Sequence, residues 1–122
     1  MATVHDVARD FTALLRQGQF EAAGGKYWAD DVTSTEPVDL PSGIAAVVSG
    51  IEAMHAKSKS WFGVSRIEDI CIDGPFVTGN QFALFLDMTI VNRVSGEGRS
   101  FDEIALYTVC DGKITEERYF YD

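Results

Sequence analysis

Cations are scarce in this chain. Ten Lys and Arg stand against 19 Asp and Glu, a formal net charge of -9. A nucleic-acid binder needs clustered cations to displace counterions from phosphates, so that class is excluded, and an anionic membrane surface is equally disfavoured. Cysteine is nearly absent. Cys71 and Cys110 form neither a disulfide framework nor a metal-ligand cluster, and are expected as two buried thiols in a reducing cytoplasm. His5 and His55 are too few for a metal site, which needs three or four convergent ligands. No apolar run approaches the ~20 residues that span a bilayer. The opening MATVHDVARDF has neither a basic nor an apolar leader region, so no secretory signal is expected and the protein reads as cytoplasmic. No phosphate-binding glycine loop, dinucleotide fingerprint, nucleophile elbow or zinc-protease helix occurs, and no cofactor is expected.

What the chain does have is a change of period. Val4, Val7, Ala8, Phe11, Leu14 and Leu15 form the stripe of an amphipathic helix over 4–17. A second short helix is expected from Gln19 to about Trp28, although Gly24 and Gly25 weaken it. Residues 31–37 read as extended, with β-branched Val32, Thr33 and Thr35, and Pro37 biasing Glu36 away from helix. Pro41 and Gly43 mark a turn. Ser49-Gly50-Ile51-Glu52 fits a capping box opening a third helix to about Phe62. From Val64 the period is two, giving strands 65–73, 75–78, 80–93, 99–110 and 113–121. Turns are expected at Asp73-Gly74, Ser95–Gly98 and Asp111-Gly112. Three N-terminal helices packed on a mostly antiparallel sheet make one α+β domain over 1–122.

Both faces of the late strands carry apolar residues. Phe82, Leu84, Leu86, Met88 and Ile90 share one face, while Ala83 and Phe85 lie on the other with Asp87. Phe101, Glu103, Ala105, Tyr107 and Val109 alternate with Asp102, Ile104, Leu106, Thr108 and Cys110. A sheet with one wet face alternates more cleanly. The helices cover one face. The other is expected to be covered by a second copy in a homodimer, or else by the loop 38–49.

The order of elements, with three stretches, resembles the nuclear transport factor 2-like superfamily, and within it the SnoaL-like domains. The stretches are Trp28-Ala29-Asp30-Asp31-Val32-Thr33-Ser34-Thr35-Glu36-Pro37, Val48-Ser49-Gly50-Ile51-Glu52-Ala53, and Tyr107-Thr108-Val109-Cys110-Asp111-Gly112-Lys113-Ile114. The resemblance implies a cone-shaped fold with a curved sheet and helices around one deep pocket. It implies a small hydrophobic ligand and, for a member that is an enzyme, cofactor-free cyclase- or isomerase-type chemistry. The fold also hosts non-catalytic binding and assembly domains.

Against the ketosteroid isomerases of that fold, Glu36 occupies the position of the general base. Their first oxyanion donor falls at Phe11, which has no hydroxyl. The second falls near Ala105, with Glu103 two residues back on the same face. The fold turns Glu117, Tyr119 and Tyr121 inward on the last strand and Glu103 and Tyr107 on the one before. Trp61 and Phe62 are placed near the mouth. Glu36 and Glu103 are thus the candidate proton carriers, and tyrosine hydroxyls the candidates to steady an enolate. Each has a plainer alternative: Glu36 a solvated loop carboxylate, Glu103 an exposed edge residue, and Tyr119-Phe120-Tyr121 ordinary core or interface. Asp87 either faces Glu103 across the sheet or pairs with Arg99. Asp30 and Asp31 shape the helix exit, His55 is expected partly buried, and His5 is expected in solvent.

Overall fold

The computed structural model describes residues 2–40 and 43–122. The elements run α1 (Val4–Arg16), α2 (Phe20–Tyr27), β1 (Trp28–Thr35), β2 (Val47–Ser49), α3 (Ile51–Val64), β3 (Ser65–Thr78), β4 (Gln81–Asn92), β5 (Gly98–Cys110) and β6 (Lys113–Phe120). The strands form a six-stranded sheet in the order β2-β1-β6-β5-β4-β3. Every neighbouring pair is antiparallel except β1 with β6, which is parallel. This is the α+β order expected from the change of period and the cone that the resemblance implies, with all three helices before β3. Among the described residues no helix is long and apolar enough to cross a membrane.

Helix α1 starts with a reciprocal cap: Asp6 N–H donates to Thr3 Oγ1 and Thr3 N–H to the Asp6 carboxylate, both at 3.1 Å. Its stripe of Val7, Ala8, Phe11 and Leu15 is buried against the sheet. Phe11 meets the rings of Tyr27, Phe82 and Tyr107 edge-on at 6.2, 6.0 and 5.0 Å. Such edge-to-face contacts add about 0.5–1.5 kcal/mol each beyond burial. At the other end, Arg16 donates to the carbonyls of Ile72 and Gly74 at 2.9 and 3.0 Å, fastening α1 to β3.

Several local expectations are corrected. Asp73-Gly74 is no turn: β3 continues through it, and the register slips between Asp73 and Phe76. A bulge accommodates Gly74 and Pro75 while both flanks stay paired to β4. Ser49 does not cap α3. Gly50 is the N-cap, at φ 94°, and its N–H donates to Val32 O at 2.7 Å. That left-handed conformation needs glycine, and Ser49 Oγ instead lies 3.4 Å from Thr33 Oγ1. Trp28 begins β1 rather than ending α2, and Asp30 and Asp31 are exposed strand residues. The stretch 38–49 contains a short strand, β2. The turn expected at Pro41 lies outside the described residues. Cys71 and Cys110 are exposed, not buried, because both fall on the outer parity of their strands. His55 is exposed too, beside the Trp28 ring at 5.3 Å.

The Asp111-Gly112 hairpin is as expected. Both residues have positive φ, 51° and 75°, the geometry that matches strand twist in a two-residue turn. Strand parity also agrees: Phe82, Leu84, Leu86, Met88 and Ile90 are buried, and so are Ala105, Tyr107 and Val109. On the outer face Phe85 pairs with Ile104, and Ile104 with Phe120, in one cross-strand row. All three are exposed, as is Phe76 nearby. Asp87 lies opposite Asp102 on this face, so it neither faces Glu103 nor pairs with Arg99. Glu103 is opposite Leu86, on the inner face.

Gly24 has a packing role. The Trp28 side chain, one turn on, folds back over it, and a Cβ there would stand 2.6 Å from the indole ring. Alanine is worth about 1 kcal/mol more than glycine inside a helix, but forcing the ring away costs about 1–3 kcal/mol. Gly24→Ala is expected to lower stability by roughly 1–2 kcal/mol in a denaturant titration. A stabilised variant would show that Trp28 is loosely held.

Candidate functional site

Helices α1–α3 and the inner face of the sheet enclose a cavity of about 440 Å³, within the usual size range for a small-molecule site. Its body is apolar, with Phe11, Leu86, Met88, Ile90 and Phe101 on the wall. Half-buried Trp61 and Phe62 sit toward one side, their rings 4.8 Å apart and edge-on. Glu36, Glu103, Tyr107, Glu117, Tyr119 and Tyr121 all line the same cavity as Trp61 and Phe62. The segment after β1 lies here too. Val38, Asp39 and Leu40 border the cavity, so this part of the 38–49 stretch turns to the inner side and away from the outer face.

The polar groups reach one place by strand parity. Along β1, Val32 and Ser34 are buried at alternate positions, and Glu36 continues that parity just past the strand. Glu36 N–H is held by Ala46 O at 2.7 Å. Parallel pairing sets Ser34 beside Glu117 on β6. On β6 a register shift near Thr115 lets Ile114 and Glu117 both face inward, although their parities differ.

Sequence reasoning missed the residue that joins these groups, Lys57. Its signal was present: Met54, Lys57, Ser58 and Trp61 fall at offsets 0, 3, 4 and 7, so a lysine occupies the apolar face of α3. Lys57 Nζ donates to Glu36 Oε2 at 2.7 Å and to Ser34 Oγ at 2.6 Å. The Lys57 and Glu36 side chains are only 11% and 9% exposed. The ammonium also lies 5.2 Å from the centre of the Tyr119 ring. Tyr121 OH donates to the other oxygen of Glu36 at 2.8 Å. Ser34 Oγ passes the chain on to Glu117 Oε1 at 3.2 Å. Glu117, 4% exposed, also accepts from Tyr119 OH at 2.9 Å and from Trp28 Nε1 at 3.3 Å. Ser34 and Trp28 were likewise not singled out from the sequence, since a serine in a strand and a helix-end tryptophan have many plainer uses.

Three carboxyl groups therefore surround one ammonium. Burial first, and then the neighbouring Glu36 and Glu117, raise the Glu103 carboxyl from its usual 4.5 to about 8, with Lys57 only partly opposing them. Burial also raises Glu117, against Lys57 and its three hydrogen-bond donors. Desolvation holds the Tyr107 and Tyr119 hydroxyls well above the ordinary phenol range, and Tyr121 is raised by burial and by its bond to Glu36. Glu103 differs from its neighbours in one further respect. Among the described residues it has no hydrogen-bond partner, although it lines the cavity. At neutral pH the site thus holds a carboxylate paired to Lys57 and, close by, a protonated acid free to meet a ligand.

Residues 2–121 match the model of the SnoaL-like domain. The chain belongs to the SnoaL-like family. A SnoaL-like polyketide cyclase from Mesorhizobium loti, so assigned provisionally and carrying carbohydrate phosphatase in its name as well, is 42% identical over 98% of this chain and 100% of its own, with a TM-score of 0.90. Two more distant structures share the fold alone. A nuclear transport factor 2-like protein from Burkholderia thailandensis is 17% identical, covering 100% of this chain and 92% of its own, TM-score 0.82. A provisionally assigned isomerase from Bacillus subtilis is 14% identical, covering 99% and 90%, TM-score 0.76. No curated protein matches the sequence. The SnoaL-like cone is thus established for this chain, with the Lys57 cluster at its polar end.

The raised carboxyl of Glu103 makes a stability prediction. Its folded value lies above its unfolded one, so its stabilising contribution is full below pH 4.5 and is lost as the pH rises toward about 8. Glu103→Gln removes that loss. The stability of the variant relative to the parent is expected to grow by up to a few kcal/mol between about pH 5 and pH 8, read from denaturant midpoints. A constant difference across that range would contradict the placement of Glu103.

Proposed function

We propose that this SnoaL-like chain is a cofactor-free acid–base catalyst acting on a small, largely apolar carbonyl compound. The observation that carries the reading is the pairing of two unlike carboxyl groups in one cavity. Glu36 accepts from Lys57 and Tyr121, the arrangement of a carboxylate. Glu103 stays protonated at neutral pH and, among the described residues, has no hydrogen-bond partner. A carboxylate held by an ammonium, beside an acid that burial raises, is suited to the two halves of a proton transfer.

In this reading the carbon skeleton lies against Phe11, Leu86, Met88 and Phe101. Glu36 takes a proton from the carbon next to the carbonyl. The electron pair moves onto the carbonyl oxygen, and the Glu103 hydroxyl donates to it. The resulting enol is then reprotonated at another carbon, which is isomerisation. Alternatively its carbon attacks a second carbonyl of the same molecule, which is ring closure. In both cases Glu36 returns its proton and Glu103 recovers its own. The likeness to a protein named as a polyketide cyclase supports this substrate class.

The free, exposed Cys71 and Cys110 suit a reducing cytoplasm. The row Phe85, Ile104 and Phe120 suits a second copy of the chain seated on the outer face. Light scattering at micromolar concentration is expected to give twice the chain mass, and Ile104→Glu to give the monomer. A monomeric parent would remove the dimer.

For the chemistry, Glu36→Gln is expected to lower kcat by about 10²–10⁴-fold on any carbonyl substrate the parent turns over, with KM changed little. An unchanged kcat would remove Glu36 as the base.

A further inference from the structure

Lys57 has more capacity than its contacts use. An ammonium has three N–H donors. One goes to Glu36 Oε2 and one to Ser34 Oγ. Among the described residues the third has no acceptor oxygen, and its nearest recorded neighbour is the face of the Tyr119 ring. Lys57 nevertheless lines the cavity, as does Glu103, whose hydroxyl is also unspent. These two donors come from different elements, α3 and β5, and line the same cavity as the apolar wall that would hold a ring or chain. Fixed donors in a low-dielectric, water-poor site bind developing negative charge far better than water-exposed ones.

We propose that Lys57 and Glu103 together form a receptor for the oxyanion of an enolate- or phenolate-type ligand. The receptor deepens the acid–base reading, on which it rests, by assigning the ligand class and a role to a residue that reading leaves as a partner of Glu36. A lysine here does what two neutral donors would do less well. It neutralises Glu36 in the resting site, and its third N–H meets an oxygen whose charge grows as the substrate loses its proton. Ser34 is a positioning residue: bonded to Glu117, it fixes the Lys57 ammonium so that the third N–H is left over.

The test uses the full chain with 4-nitrophenol, whose absorbance reports its ionisation, and nitrobenzene as a probe of like shape without the oxygen. At about pH 7 the parent is expected to bind 4-nitrophenol as the phenolate, at least about tenfold more tightly than nitrobenzene. Lys57→Met is expected to weaken phenolate binding at least tenfold and to leave nitrobenzene within about twofold, which also reports an intact cavity. The second arm holds even where Lys57→Met fails to fold. Phenolate affinity of the parent should fall as the pH rises through about 8, where Glu103 ionises, and should stay level in Glu103→Gln. The other groups facing this point are Glu36, Lys57, Tyr107, Glu117, Tyr119 and Tyr121, with Asp39, Arg99 and Asp122 at the exposed rim. All are common to both proteins, so the difference between them isolates Glu103. Equal affinity for the two probes, binding of 4-nitrophenol only in its neutral form, equal weakening of both by Lys57→Met, or pH curves that coincide would each overturn the receptor. Glu36→Gln keeps both donors and should retain or strengthen the phenolate. Loss of the base therefore shows in turnover, and loss of the receptor in phenolate binding.

Discussion

One buried ammonium must serve three carboxyl groups, and the polar end of the cavity follows from that shortage. Lys57 can neutralise only one of them directly, and it does so for Glu36 at 2.7 Å. Ionising the others as well would place like charges together in a low dielectric, at a cost of several kcal/mol. Glu103, which has no donor among the described residues, is the group that keeps its proton. Glu117 is surrounded by Ser34, Tyr119 and Trp28, and burial still raises it. The imbalance in the chain as a whole, ten cations against 19 acids, is repeated here in miniature, but inside the fold, where it changes chemistry rather than solubility.

The scaffold exists to hold that arrangement still. Glu36 stands where β1 ends, Lys57 in the middle of α3, Glu103 on β5 and Glu117 on β6. No two of the four share an element, so only the packed cone brings them together. The reciprocal cap of α1, the Arg16 bonds to β3 and the Trp28 ring laid over Gly24 fix helices to sheet around the cavity. Breaking the Lys57–Glu36 pair by removing one partner would leave an uncompensated buried charge, a loss of about 3–5 kcal/mol. The pair therefore constrains both stability and chemistry. Rigid elements rather than loops carry most of the polar groups, which favours a fixed electrostatic environment over an adaptable one.

Much of this was legible in the sequence, for identifiable reasons. The period change near residue 64 marked the passage from helices to sheet, and Asp111-Gly112 set the last hairpin and with it the facing of Glu103 and Tyr107. Parity carries well along strands because a side chain has only two directions to choose from. It failed where backbone geometry departs from the ideal. The bulge at Gly74 and Pro75 hid one long strand as two, and the shift near Thr115 is visible only in three dimensions. Ser49 was outranked as a cap because Gly50 alone tolerates the turn into α3. Lys57 was passed over because a lysine on an apolar face is usually read as a long stem reaching for solvent. Its neighbours across the cavity, which make it a buried partner instead, lie 21 and 23 residues away in sequence.

The central claim is that Glu103 remains a protonated acid at neutral pH while Glu36 is paired to Lys57. Carbon-13 NMR of the glutamate side-chain carboxyls in the labelled full chain, with Glu103 assigned by its loss in Glu103→Gln, measures this directly. The account predicts a midpoint for Glu103 near 8. A midpoint near the ordinary 4.5 would contradict it, because the cavity would then hold a second free carboxylate and no acid.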